Sequence, residues 1–295
     1  DPIAFVYNKR FYKSAGIQAP PVTWKDVLDH AKIIKAAGRA NFPIGFGWSQ
    51  QEPFSIEEVT AMLFSRGGQF FDEKLTPAFV GEGSVLAEHM KWVREALDQK
   101  LMDPESLTRD AVANQQAMMA GTQVYGLTRA SGLAFWQDKA KSKEGGNFEI
   151  IPMPGKTHET LGFVRFYGVT KQLAARDQTA KDGAWKFLSY FGGPGPDGSW
   201  PVVRRWALEH GLGFGPMPLF KDAAIRESFG NWTDVPALEE MCKQAKTRKL
   251  SPWYASWDVF TRAELQRAYL GRTDVDAAVN NIAERWKTVQ AEFAE

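Results

Sequence analysis

Amphipathic helical segments alternate with short apolar stretches along most of the chain, and this alternation narrows the fold to an α/β architecture. The opening Asp1-Pro2-Ile3-Ala4-Phe5-Val6 reads as a strand already inside a fold, and residues 8–16 as a short helix closed by Gly16. Pro20-Pro21 breaks the chain. Thr23, with Asp26 three residues on, then caps a helix whose Val27, Leu28, Ala31 and Ile34 share one face before Gly38 ends it. Residues 44–48 read as a strand running into a loop. Ser55 with Glu58 predicts a capped helix reaching Gly67-Gly68, and residues 84–99 another, striped by Val85, Leu86, Met90, Val93 and Leu97. A helix over 111–120 ends at Gly121, and strands are expected over 123–128, 148–151 and 161–169. Further helices are predicted over 177–191, 200–210, 237–246 and 257–270, with a last one capped by Thr273 and Asp276.

A length of 295 residues fits about two domains. The formal net charge of +1 argues against a nucleic-acid or membrane-surface partner. The short run Lys246-Thr247-Arg248-Lys249 reads as a solvated helix end. No apolar run reaches the ~18 residues of a membrane span, and no signal-peptide pattern stands at the start. One cysteine, Cys242, excludes an intrachain disulfide. His30, His89, His158 and His210 lack metal-ligand spacing, so neither a metal nor another cofactor is expected. A phosphate-binding loop and a G-x-S-x-G elbow are absent, and Gly211 to Gly215 lacks the preceding strand of a dinucleotide site. Carboxylates are abundant enough that a glycosidase pair stays open. Aromatics are the unusual component: 11 Trp, 20 Phe and 7 Tyr. Cores use Trp sparingly because its N–H needs a partner, so a surplus points to ring faces used in recognition.

Six segments in order resemble extracellular solute-binding proteins of the maltose-binding-protein type. They are Tyr7-Asn8-Lys9 through Gly16-Ile17 with Pro20-Pro21-Val22-Thr23-Trp24; Ser65-Arg66-Gly67-Gly68; Gln115 through Leu127; Ile151-Pro152-Met153-Pro154-Gly155; Lys186-Phe187-Leu188; and Leu270-Gly271-Arg272 through Ala278. Met118 and Tyr125 depart from the family pattern. The resemblance implies a class II periplasmic-binding-protein-like fold of two lobes that closes about a hinge, with its first lobe incomplete. It places residues 1–162 in the second lobe, 163–235 in the surviving part of the first and 236–295 in helices returning to the second. About a hundred residues, a domain-sized piece, are expected ahead of the Tyr7 segment. The implied function is the substrate-binding component of an ABC importer, a monomer that binds a sugar or sugar-like solute and hands it to permease subunits. The implied compartment is the periplasm, or the cell exterior with a lipid anchor, the signal segment lying outside this sequence. Two alternatives stay open: a receptor for a polyol or an anionic glycerol or sugar derivative, and a carbohydrate-active hydrolase.

Binding a sugar in water calls for aromatic planes over its C–H faces and fixed polar groups for its hydroxyls. Three stretches have that make-up. The first runs from Trp48 to Phe54: the resemblance implies that Glu52 accepts from hydroxyls and Phe54 covers a face, while Phe54 as a hydrophobic staple for the next helix is equally open. The second holds Arg129 and Ser131, where the family often carries Trp; Arg129 is a cleft cation or a surface residue, and Ser131 a helix cap. The third holds Trp253, Tyr254 and Trp257. The resemblance sets Trp257 at the family's stacking tryptophan, and the other reading packs these tryptophans into the core. Trp24, Trp92, Trp185 and Trp286 lie on helix stripes and are expected to pack.

Overall fold

Strand β1 (Ile3–Asn8) is buried along all six of its residues. Its side chains divide with the two-residue period of a strand: Ile3, Phe5 and Tyr7 enter one core, Ala4 and Val6 a second. It pairs antiparallel on both edges, with β2 (Tyr125–Arg129) through Phe5↔Leu127 and with β3 (Phe148–Ile151) through Phe5↔Ile151. The computed structural model describes residues 1–164 and 166–294.

Helix α1 (Lys9–Ala15) starts at Asn8, whose side chain accepts from the Arg10 N–H, and stops at Gly16, where φ is +74°. In α2 (Trp24–Ala36) both hydrogen bonds of the Thr23–Asp26 capping box form, and the predicted face is buried. Helix α3 (Ser55–Ser65) differs from expectation. Ser55 is its first residue, and Phe54 occupies the cap without a side-chain bond. All of α3 is buried, including the first-turn acids Glu57 and Glu58. With α4 (Val85–Asp98), these helices cover the first face of the sheet.

The second face meets Met118 of α5 (Ala111–Ala120), Trp136 of α6 (Leu133–Gln137), and side chains from further along the chain. Strand β4 (Thr160–Leu161) is far shorter than the 161–169 expected; Arg165 lies outside the described residues, and Phe166 is 88% exposed. After α7 (Lys171–Ala174) comes α8 (Gln178–Gly192), none of whose residues is buried. Trp185, expected to pack, is 59% exposed, because α8 presents it with Phe187 and Tyr190 away from either core. Helices α9 (Pro201–His210), α10 (Ala223–Gly230) and α11 (Val235–Gln244) supply Ala207, Ile225, Phe229 and Leu238 to the second core.

The basic run is no solvated helix end. It begins in β5 (Ala245–Lys246), parallel to β4, and its cations are spoken for: Lys246 pairs with Glu159 at 2.7 Å, Arg248 with Glu57 at 3.2 Å and Lys249 with Glu73 at 2.6 Å. Pro2 bridges to Gly162 beside this pair, so three passages of the chain lie together. Helices α12 (Tyr254–Tyr269) and α13 (Val275–Glu292) then return to the first core. Asp274, not Thr273, caps α13.

Trp257 sits at the centre of that first core, fully buried. Phe70 and Phe71 meet its ring edge-on at 5.1 and 4.9 Å, Trp286 crosses it at 5.5 Å, and its N–H donates to the Ile282 carbonyl at 3.0 Å. Truncation would leave a large cavity and remove the Trp257 hydrogen bond to that carbonyl. Trp257→Ala is therefore expected to lower unfolding free energy by about 3–5 kcal/mol in denaturant titrations. A loss under about 1 kcal/mol, the range of ordinary surface changes, would contradict this placement.

Candidate functional site

The loop before α3 is held rigidly. Trp48 is buried, stacked on Phe46 at 4.4 Å, and donates its N–H to Glu58 Oε2 at 2.7 Å. Glu52 accepts from the Phe54 N–H and from the Ala111 N–H, each at 3.0 Å, which ties this loop to the start of α5. Arg262 of α12 reaches the Gln50 carbonyl and pairs with Asp258 at 3.1 Å. Gln266 donates to the carbonyls of Trp48 and Leu107, both at 2.7 Å.

On this base stands a charged and aromatic constellation. Strand β2 delivers Arg129, whose guanidinium lies 4.2 Å from the Phe54 ring centroid and 3.7 Å from that of Phe163. Glu57, in the first turn of α3, lies between two cations: Arg129 at 3.6 Å and Arg248 at 3.2 Å. Arg248 in turn lies 5.2 Å over the Tyr254 ring. Burial pushes the Glu57 carboxyl above its ordinary value, against the pull of Arg248 and then of Arg129. Burial likewise raises Asp258, with Arg262 opposing it. The α3 macrodipole favours the ionised Glu57.

Of the residues expected here, the structure brings Phe54, Arg129 and Tyr254 together. Phe54 is 39% exposed. Trp48 and Trp257 are core residues and cannot cover a ligand face, since packed rings occupy their surroundings. Trp253 is half-buried beside Trp286 and Phe293. Glu52 spends both oxygens on backbone N–H groups. Ser131 caps no helix: its N–H and hydroxyl both donate to the Asp1 carboxylate, at 3.1 and 2.6 Å. Glu57, Arg248, Phe163, Asp258 and Arg262 were not anticipated. Arg248 was absorbed into the basic run. The Asp258–Arg262 spacing of four residues was the one available signal.

A groove of ≈ 650 Å³ opens beside Arg129, lined by Ser131, Phe163 and the aromatic side chains of Phe166, Tyr167 and Trp206 among others. Among the described residues no group of three or more His, Cys, Asp or Glu is gathered as for a metal, and no helix is long and apolar enough to cross a membrane.

The profile of the bacterial extracellular solute-binding protein family matches residues 1–197, and the chain belongs to that family. A binding protein of Brucella abortus (strain 2308) is 24% identical over 282 residues, which cover 95% of this chain and 64% of the relative. The chain thus spans less than two-thirds of that relative's length. Among solved structures, maltose-bound MalE3 of T. maritima superposes with a TM-score of 0.79 at 18% identity, over 98% of this chain and 70% of that one. A solute-binding protein of Agrobacterium radiobacter K84 in complex with ribitol gives 0.73 at 16%, over 98% and 69%. The fold is that of the two-lobed periplasmic solute-binding proteins.

Glu58 supplies a test of how this region is built. Burial raises its carboxyl well above the ordinary range; the Trp48 N–H opposes the shift, and the charges of Glu52 and Glu57 add to it. The unfolded chain releases this proton at ordinary carboxyl pH while the folded chain retains it to higher pH. The Glu58 contribution is therefore complete below the unfolded value and is lost as pH rises towards the folded one, by up to ~1.4 kcal/mol per pH unit. Glu58→Gln keeps an acceptor for Trp48 and should reduce the decline in stability between about pH 5 and about pH 8 in guanidinium titrations. A slope identical to that of the parent protein would refute the assignment.

Proposed function

We propose that this chain belongs to the substrate-binding component of an ABC importer, a receptor that takes a carbohydrate or polyol in the cleft between its lobes and presents it to permease subunits. The observation that carries the reading is the Phe54–Arg129–Phe163 stack joined through Glu57 to Arg248. It combines apolar ring surface with fixed charged hydrogen-bonding groups at the convergence of several chain segments, which is what a polyhydroxylated ligand requires. Family membership supports it, as do neighbours of the same fold described with maltose or ribitol bound.

The lobe boundaries 1–162, 163–235 and 236–295 form part of this proposal. Their support is the side-by-side passage of the chain at Pro2, Gly162 and Lys246, where few dihedral changes would rotate one part against another. The exposed aromatic side chains of α8 are consistent with a first lobe that extends beyond these residues. A periplasmic or lipid-anchored extracellular setting, a monomeric state and binding without turnover complete the reading.

Calorimetric titration with maltose, ribitol and D-mannitol tests it. Saturable binding of at least one is expected, with the ligand recovered unchanged by chromatography. Phe54→Ala should weaken that binding by roughly ten- to a hundredfold, the factor corresponding to the loss of one aromatic face. Appearance of a hydrolysed product would defeat the receptor reading in favour of an enzyme.

A further inference from the structure

We infer that Arg262 and Gln266 of α12 are positioning residues for the ligand: they clamp the backbone of the 48–54 loop and thereby fix the place of Phe54. The inference rests on the receptor reading above, in which Phe54 covers a ligand face.

Spacing along α12 comes first. Asp258, Arg262 and Gln266 recur every four residues and so share one side of the helix, while Trp257, one position before Asp258, enters the core. Asp258 accepts from Arg262 Nε at 3.1 Å, which sets the guanidinium plane, and Arg262 Nη1 donates to the Gln50 carbonyl. The Arg262 and Asp258 side chains are 9% and 13% exposed, so this is no loose surface pair. One turn further on, the Gln266 amide donates to the carbonyls of Trp48 and Leu107, both at 2.7 Å. Two side chains of one helix thus hold three main-chain carbonyls from two separate segments.

The two ends of this clamp are unequal. Helix α12 is anchored: Trp257, Leu265 and Ala268 are buried in the first core, and the Tyr269 hydroxyl meets His89 Nε2 at 2.7 Å. In the loop, by contrast, Gln50, Gln51, Pro53 and Phe54 are exposed. Position therefore passes from helix to loop. Glu52 relays it: its N–H donates to the Ser49 carbonyl at 2.9 Å, and its Oε1 accepts from the Phe54 N–H at 3.0 Å. A ring already in place when the ligand arrives loses less freedom on binding, and that saving is the contribution of the clamp to affinity.

Amide exchange and a double-mutant cycle on the 295-residue chain decide the matter. In Arg262→Met, protection of the Ser49, Glu52 and Phe54 amides should fall at least about tenfold relative to that of the β1 amides, which report global opening. Arg262→Lys keeps a donor for the Gln50 carbonyl and should recover part of that protection. Whichever of maltose, ribitol and D-mannitol binds the parent chain should bind Arg262→Met about tenfold more weakly. Phe54→Ala should then cost about tenfold less in the Arg262→Met background than in the parent, because the ring has already lost that share of its contribution. If Arg262→Met does not fold, Gln266→Met, which leaves the Asp258–Arg262 pair intact, takes its place with the same expectations. Unchanged loop protection, or an equal cost of Phe54→Ala in both backgrounds, would overturn the inference and leave the receptor reading in place. Failure of all three ligands to bind the parent chain would sink the receptor reading, and the exchange comparison alone would then decide the clamp.

Discussion

Strand β1 must satisfy two cores and two neighbouring strands at once. Its backbone groups are used on both edges, by β2 and β3, and its side chains are used on both faces. A slip of one residue would exchange Phe5 for Val6 and put the wrong shapes against Trp24 and Tyr125, which Phe5 meets at 5.6 and 5.7 Å. The register of β1 therefore fixes that of β2, and β2 ends at Arg129. The position of Arg129 is set by the same pairing that organises the cores.

The site itself is assembled from groups that are costly to bury. A carboxylate in the position of Glu57 is tolerable only with cations at hand, and two arginines from distant parts of the chain provide them. Glu58, one residue on, has no ion pair among the described residues; burial raises its carboxyl well above the ordinary range, and Trp48 is its hydrogen-bond donor. Adjacent acids on one helix thus meet different surroundings, because α3 points Glu57 towards the arginines and Glu58 towards Trp48.

Local grammar was readable from the sequence. The capping box at Thr23, the glycine stop at Gly16 and the stripe on α2 depend on residues within one turn of each other, and all three are present. The sites of aromatic residues depend on which side of a helix meets a core, and that is set by segments far away in the chain. On α12 the difference is a single residue: Trp257 points into the core, whereas Asp258, ~100° further round the helix, faces Arg262. Composition in that stretch signals recognition, but periodicity alone does not say which face is the wet one. Arg129 and Phe54 were legible as candidates because each sits at a strand end or in a loop. Glu57 was not, since its role depends on Arg248, which lies 191 residues later.

Helix α8 has a consequence of a different kind. It caps itself with Asp177 and makes an amphipathic stripe, yet contributes no buried side chain. It is held by its own hydrogen bonds and by Phe191, which packs against Tyr167 at 4.9 Å and Trp206 of α9 at 5.0 Å, whereas β1 opens only if both cores part. The molecule therefore spans a wide gradient of local opening free energy. Within these 295 residues, backbone amides of α8 should therefore exchange with solvent deuterium before those of β1.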